Sequence, residues 1–140
     1  MKLSTRGRYG TRLMLDLASH DKEGPALLKD VSLSQNISLK YLGQLIIPLK
    51  IAGLIKSLRG ARGGYFIAKP PEEISLGDIV KALEGSICIV ECIYSPEICE
   101  RAGKCASQKI WKEINEKIID ILDSYSLNDL VSIQKTIDKG

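Results

Sequence analysis

The chain has 140 residues, 44% apolar and 26% charged; this suits one folded domain with an appended segment and excludes a disordered polyelectrolyte. Its net charge of +3 conceals an asymmetry, because residues 1–69 hold 12 Lys and Arg against 4 Asp and Glu while residues 70–140 hold 8 against 13. A basic half followed by an acidic half predicts a polyanion-binding module joined to a part that avoids the polyanion.

Thr5 to Ser19 reads as a helix. Tyr9, Leu13, Met14, Leu17 and Ala18 form one apolar stripe, and Arg6, Arg8 and Arg12 lie off it. Gly24-Pro25 breaks the chain. A short helix is expected over Leu28–Ser34, a turn at Gln35-Asn36-Ile37, and a second helix after the N-cap Ser38. Leu42, Leu45, Ile46 and Leu49 then face inward, leaving Lys40, Tyr41 and Gln44 outward. Two short helices about a tight turn make a helix-turn-helix, which reads bases mainly from the start of its second helix. Pro48 is expected to kink or tighten that helix, and Gly53 to end it.

Leu54–Arg59 and Tyr65–Lys69 flank the glycine-rich tip Gly60-Ala61-Arg62-Gly63-Gly64. This pattern predicts a β-hairpin, and a hairpin in this place is a wing. Its arginines suit phosphates or a narrow minor groove. No Gly-Lys-Ser/Thr follows the glycines, so a nucleotide loop is not expected. Ser75-Leu76-Gly77-Asp78 resembles a capping box opening a helix that Gly85 closes near Glu84. From about Ser107 a longer helix carries Ile110, Trp111, Ile114, Ile118, Ile121, Leu122 and Tyr125 at helical spacing, read as a dimerisation helix; Ser126 and Asp129 cap a last short helix. The lone His20 falls near a helix end, and no catalytic grouping is visible, so no enzyme is expected.

All four cysteines lie between 88 and 105, at Cys88, Cys92, Cys99 and Cys105. The opening residues lack an apolar signal region, and no apolar run approaches the roughly 20 residues that cross a bilayer. A cytoplasmic protein with reduced thiols is therefore expected, which weakens a disulfide reading. The spacing C-x3-C-x6-C-x5-C lacks the paired knuckles usual in structural zinc sites. Pro96 and Gly103 predict a loop from Cys92 to Cys105, able to wrap three thiolates around a cluster. Ile87-Cys88-Ile89-Val90 reads as extended. In a strand, Cys88 and Cys92 would stand about 13 Å apart, too far to share one small cluster, against about 6 Å in a helix. Cys88 is therefore expected to be a small buried hydrophobe.

Met1–Gly10, Ile37–Leu45, Leu58–Tyr65 and the series Cys92, Cys99, Cys105, Trp111, taken in this order, resemble the iron–sulfur-dependent winged helix-turn-helix regulators of the IscR and NsrR type. The resemblance covers nearly the whole chain. It implies a mainly α fold with a small β-hairpin wing and a long C-terminal dimerisation helix. The implied divisions are a DNA-binding domain over 1–85, a cluster loop over 86–106, and a dimerisation helix with tail over 107–140. It further implies a homodimer on promoter DNA, with a 2Fe-2S cluster, or in some members 4Fe-4S, held by Cys92, Cys99 and Cys105. No membrane or small-molecule substrate is implied.

Ser38, Lys40, Tyr41 and Gln44 are the expected groove readers, Arg59 beside Gly60 works from the wing, and Arg6, Arg8, Arg62 and Lys56 meet phosphates. Three departures stand out. Gln108 replaces a ligand histidine, Arg8 stands where other members supply a carboxylate, and Gly43 replaces a carboxylate that helps choose between DNA sites. The fourth ligand is left open among Gln108, Glu100, Cys88 or none. The alternatives are a cluster-free regulator of the same fold that answers through thiols or a partner, an iron–sulfur electron carrier that never meets DNA, and a zinc-stapled module.

Overall fold

Six helices and one hairpin follow each other in the computed structural model, which describes residues 2–140. Helix α1 spans Thr5–Ser19, α2 Leu28–Gln35 and α3 Leu39–Ile51; strands β1 (Ile55–Leu58) and β2 (Gly64–Ile67) follow, then α4 Leu76–Glu84, α5 Ala106–Ser124 and α6 Leu127–Lys139. The Ser4 hydroxyl accepts the Gly7 N–H and starts α1, whose expected stripe of Leu13, Met14 and Leu17 is buried. Val31, Leu42, Leu45 and Leu49 complete the centre of the core from α2 and α3. At Gly10 an added methyl group would run into the Leu83 side chain, so glycine lets α1 and α4 pack at this separation without displacing Leu83.

The turn between α2 and α3 is fastened locally. Asn36 adopts the left-handed conformation at φ 54°, which asparagine tolerates better than most residues. The Ser32 hydroxyl donates to the Ile37 carbonyl at 2.6 Å. Ser38 caps α3 by accepting the Tyr41 N–H at 3.1 Å. The helix continues through Pro48 to Ile51, and the Ala52 N–H donates to the Pro48 carbonyl at 3.0 Å.

β1 and β2 pair antiparallel, Ile55 opposite Ile67 and Leu58 opposite Gly64. Ala26 and Tyr65 exchange both backbone hydrogen bonds at 2.8 Å, pinning the wing to the chain before α2. Gly64 has φ +154°, and a Cβ there would sit 2.5 Å from the Ala26 carbonyl oxygen. The capping box at Ser75 and Asp78 forms as the sequence predicts.

The stretch after α5 does more than trail. Leu127 N–H donates to the Ile74 carbonyl at 2.7 Å and Leu76 N–H to the Tyr125 carbonyl at 2.8 Å. Leu127 and Val131 are buried in the same core as α1. Residues 107–140 therefore hold two helices of different kinds: α5 beside the core, and α6 closing it.

One expectation is corrected. Ile87–Val90 is not a strand; the sheet described has two strands only, and this run follows an irregular path. Its backbone groups are taken by a side chain of α5 instead of a strand edge.

Candidate nucleic-acid interface and cysteine segment

The predicted DNA-contacting residues lie on three neighbouring elements, α3, the wing and α1. Ser38, Lys40 and Gln44 are exposed on the first turns of α3, and Lys56, Arg59, Gly60 and Arg62 are exposed on the wing. Arg6 and Arg8 are exposed on the first turns of α1. Tyr41 is different. It is half-buried, its ring edge-to-face on Tyr9 at 5.9 Å between centroids and 84° between planes. The Arg8 and Arg12 guanidiniums lie 5.6 and 5.3 Å from the Tyr9 ring centroid, within cation–π range. Tyr41 thus fixes the start of α3 against α1 while leaving part of its ring toward solvent.

A polar network that the sequence did not disclose ties α2 to α1. Asp16 is buried at 6% exposure. It accepts hydrogen bonds from the Ser34 hydroxyl and from Gln35 Nε2, the latter at 2.9 Å. Arg12 donates to Gln35 Oε1 at 3.2 Å and also to the Gln35 carbonyl. The end of α2 is thereby tied to the middle of α1, and a buried carboxylate so satisfied resists displacement. His20 caps the end of α1 at the surface, as expected, with Nδ1 3.0 Å from the Asp16 carbonyl oxygen.

The four cysteines are free thiols between α4 and α5; Cys88, Cys92 and Cys105 are half-buried and Cys99 exposed. From Cys92 to Cys105 the backbone is loop broken by single 3-10 turns at Glu91–Ile93 and Pro96–Ile98, as the glycine and proline predict. Cys88 donates its thiol hydrogen to the Val90 carbonyl at 2.9 Å, so it is less deeply buried than expected and is turned onto its own backbone. Glu100 is exposed in the turn after Cys99.

Cys105 stands at the N-cap of α5. Its thiol is held below its ordinary pKa, first by the Gln108 backbone N–H; partial burial opposes this, and Ser107 and the Arg101 charge add to the lowering. Free N–H groups at a helix start favour a thiolate. Cys105 and Gln108 line an open hollow of about 560 Å³ with Ile93, Pro96, Gly103 and Lys109. The donor set of three free thiols, one biased toward thiolate, fits an iron–sulfur cluster chemically. The described residues hold no group of three or more His, Cys, Asp or Glu side chains that already converges on one point, so the loop must draw together to hold one.

The candidate fourth ligand Gln108 is engaged otherwise. Its Oε1 accepts the Gly103 N–H and its Nε2 donates to the Cys92 carbonyl, both at 2.7 Å. Asn115, two turns further along α5, is fully buried. Its Oδ1 accepts the Ile89 N–H at 2.8 Å, and its Nδ2 donates to the Ile87 carbonyl at 3.1 Å and the Tyr94 hydroxyl at 2.9 Å. Sequence reasoning missed Asn115. The available signal was a lone amide within the apolar series Ile110, Trp111, Ile114 and Ile118.

The family model for Rrf2, described as an iron-dependent transcriptional regulator, matches residues 3–133. The chain belongs to the Rrf2 family. It is 43% identical to the HTH-type transcriptional regulator CymR of Bacillus subtilis over 132 residues, covering 94% of this chain and 91% of CymR. It is 37% identical to IscR of Pectobacterium carotovorum over 138 residues, covering 99% of this chain and 84% of that one. The structure of CymR, the global cysteine regulator of B. subtilis, superposes with a TM-score of 0.81 at 42% identity, covering 95% of this chain and 98% of CymR. IscR from T. potens superposes with a TM-score of 0.78 at 39% identity, covering 96% and 88% of the two chains.

This Rrf2 member is thus a DNA-binding transcriptional regulator with a winged helix-turn-helix fold. Among the described residues no helix is long and apolar enough to cross a membrane.

Proposed function

We propose that the chain acts as a homodimer on promoter DNA, and that an iron–sulfur cluster held by Cys92, Cys99 and Cys105 sets its affinity for that DNA. The observation that carries this reading is the confinement of every cysteine to one irregular segment docked on α5, with Cys105 at the helix N-terminus. In a bound cluster the three thiolates supply sulfur ligands, and the iron centre supplies sensitivity to iron status, oxidants or nitric oxide.

The chain's own residues do the rest. Lys40 and Gln44 enter the major groove from α3, with Ser38 at its start and Arg59 reaching in from the wing. Arg6, Arg8, Lys56 and Arg62 neutralise phosphates. α5 supports the dimer: Ile110 (51% exposed), Trp111 (43%), Ile114 (36%) and Ile121 (60%) leave an apolar face uncovered by this chain, far more than a solvated helix needs. Two such faces meeting would fix the distance between two recognition helices, and so predict a pseudo-palindromic site. A change of the 92–105 loop against α5 shifts the population of DNA-competent dimers.

The deciding experiment is anaerobic purification with iron, acid-labile sulfide and visible absorption measured beside binding to promoter duplex. The expected result is a coloured protein whose Cys99→Ser variant is colourless yet folded, and whose Cys88→Ser variant keeps its colour. Material free of iron and sulfide after reconstitution removes the cluster. A second reading is then favoured by the thiolate character of Cys105 and by the likeness to CymR: a cluster-free regulator that answers through its thiols.

A further inference from the structure

The cysteine segment is fastened to α5 at two points. At the first, Gln108 spends both ends of its amide on backbone groups: Oε1 takes the Gly103 N–H and Nε2 gives to the Cys92 carbonyl. These partners lie eleven residues apart in sequence, so one side chain closes the loop that carries Cys92, Cys99 and Cys105. Gln108 is the third residue of α5, where the glutamine of a capping box would sit. It reaches past the N-cap residue Cys105 to Gly103. At the second point, Asn115 makes three hydrogen bonds, to Ile87, Ile89 and Tyr94, using its oxygen and its NH2 group while fully buried. Residues seven apart lie on one face of a helix, about 10 Å along its axis.

We propose that Gln108 and Asn115 form a two-point clasp, positioning residues that lock the cysteine segment onto α5, and that Gln108 is not a cluster ligand. An amide already bonded at both ends must break the loop closure before either end can reach iron. A buried amide stripped of its partners is costly, since nothing else there can replace them. The segment therefore cannot change shape without opening the clasp or carrying α5 along. The clasp rests on the proposed cluster reading for its regulatory meaning only; its existence is tested in metal-free protein.

The test uses the metal-free full-length chain, with iodoacetamide labelling of each cysteine read by mass spectrometry and amide exchange read by NMR. Gln108→Ala should speed Cys92 labelling and Gly103 N–H exchange by roughly tenfold, the size set by losing two backbone hydrogen bonds. Gln108→Glu keeps the acceptor and loses the donor, so Gly103 should stay protected while Cys92 becomes reactive. Asn115→Ala should expose the Ile89 N–H; if that variant fails to fold, the Gln108 pair still decides. Wild-type labelling and exchange in Gln108→Ala overturns the clasp. So does unchanged protection accompanied by an altered visible spectrum after reconstitution, which would make Gln108 a ligand. Loosening in Gln108→Ala, with no iron or sulfide taken up by the wild type, supports the clasp and removes the cluster instead.

Discussion

The N-terminal core and the α5 region are built on opposite plans. Among the described residues, every buried apolar side chain lies in residues 13–83 or in α6, whereas from 86 to 124 the sole buried side chain is the amide of Asn115. The core is held by shape and apolar area. The α5 region is held by directed hydrogen bonds on one side and presents an unpartnered apolar face on the other. A region built this way can shift without unfolding the rest, which suits the part of a regulator that receives the signal.

The contrast can be broken first at the core. Leu45→Ala should cost about 3 kcal/mol in urea unfolding, through lost burial and the cavity left behind; a loss below ~1 kcal/mol would mean the core is looser than its burial indicates. In the α5 region, Asn115→Ala should cost about 2 kcal/mol. Amide exchange should then rise over residues 87–94 while α1 to α4 keep their protection, and uniform loss would merge the two regions into one unit.

Trp111→Ala should barely alter the fold of one chain but weaken self-association more than tenfold by sedimentation, as removal of one large aromatic from an interface does. Arg62→Ala tests the DNA face. Melting should be unchanged, while the slope of log K against log salt becomes shallower by about 0.9 for one phosphate contact. The subtlest effect concerns Cys105. Because its thiolate is favoured, alkylation of metal-free protein at that residue should persist to lower pH than for a free thiol, and a profile matching a free thiol would remove that bias.

Much of the core's plan is legible in the sequence because it obeys short-range rules. Caps at Ser38, Ser75 and Ser126 mark helix starts, the 3.6-residue stripe of α1 marks its inner face, and the glycine-rich tip marks the hairpin. The α5 region is less legible because long-range polar contacts decide it. The β-branched run at 87–90 favours a strand only if an edge is available, and here α5 supplies an amide instead. Gln108 looks like a ligand substitute in a resemblance, yet hydrogen bonds five and sixteen residues back in the chain engage both ends of its amide. Tyr41 reads as exposed by periodicity until Tyr9 is found against it. Nor does periodicity distinguish α5 from α6, since both are amphipathic and only the fold says which face finds the core.

The return of α6 to α1 bears on how the molecule is made. Leu127 and Val131 fill space beside residues of α1, so a ribosome must carry the chain on through α6 before the helix-turn-helix portion can finish assembling. The thiol-bearing stretch emerges earlier and waits as an excursion between two halves of an incomplete interior. Synthesis itself thus orders assembly, with the cysteines already made when the interior closes.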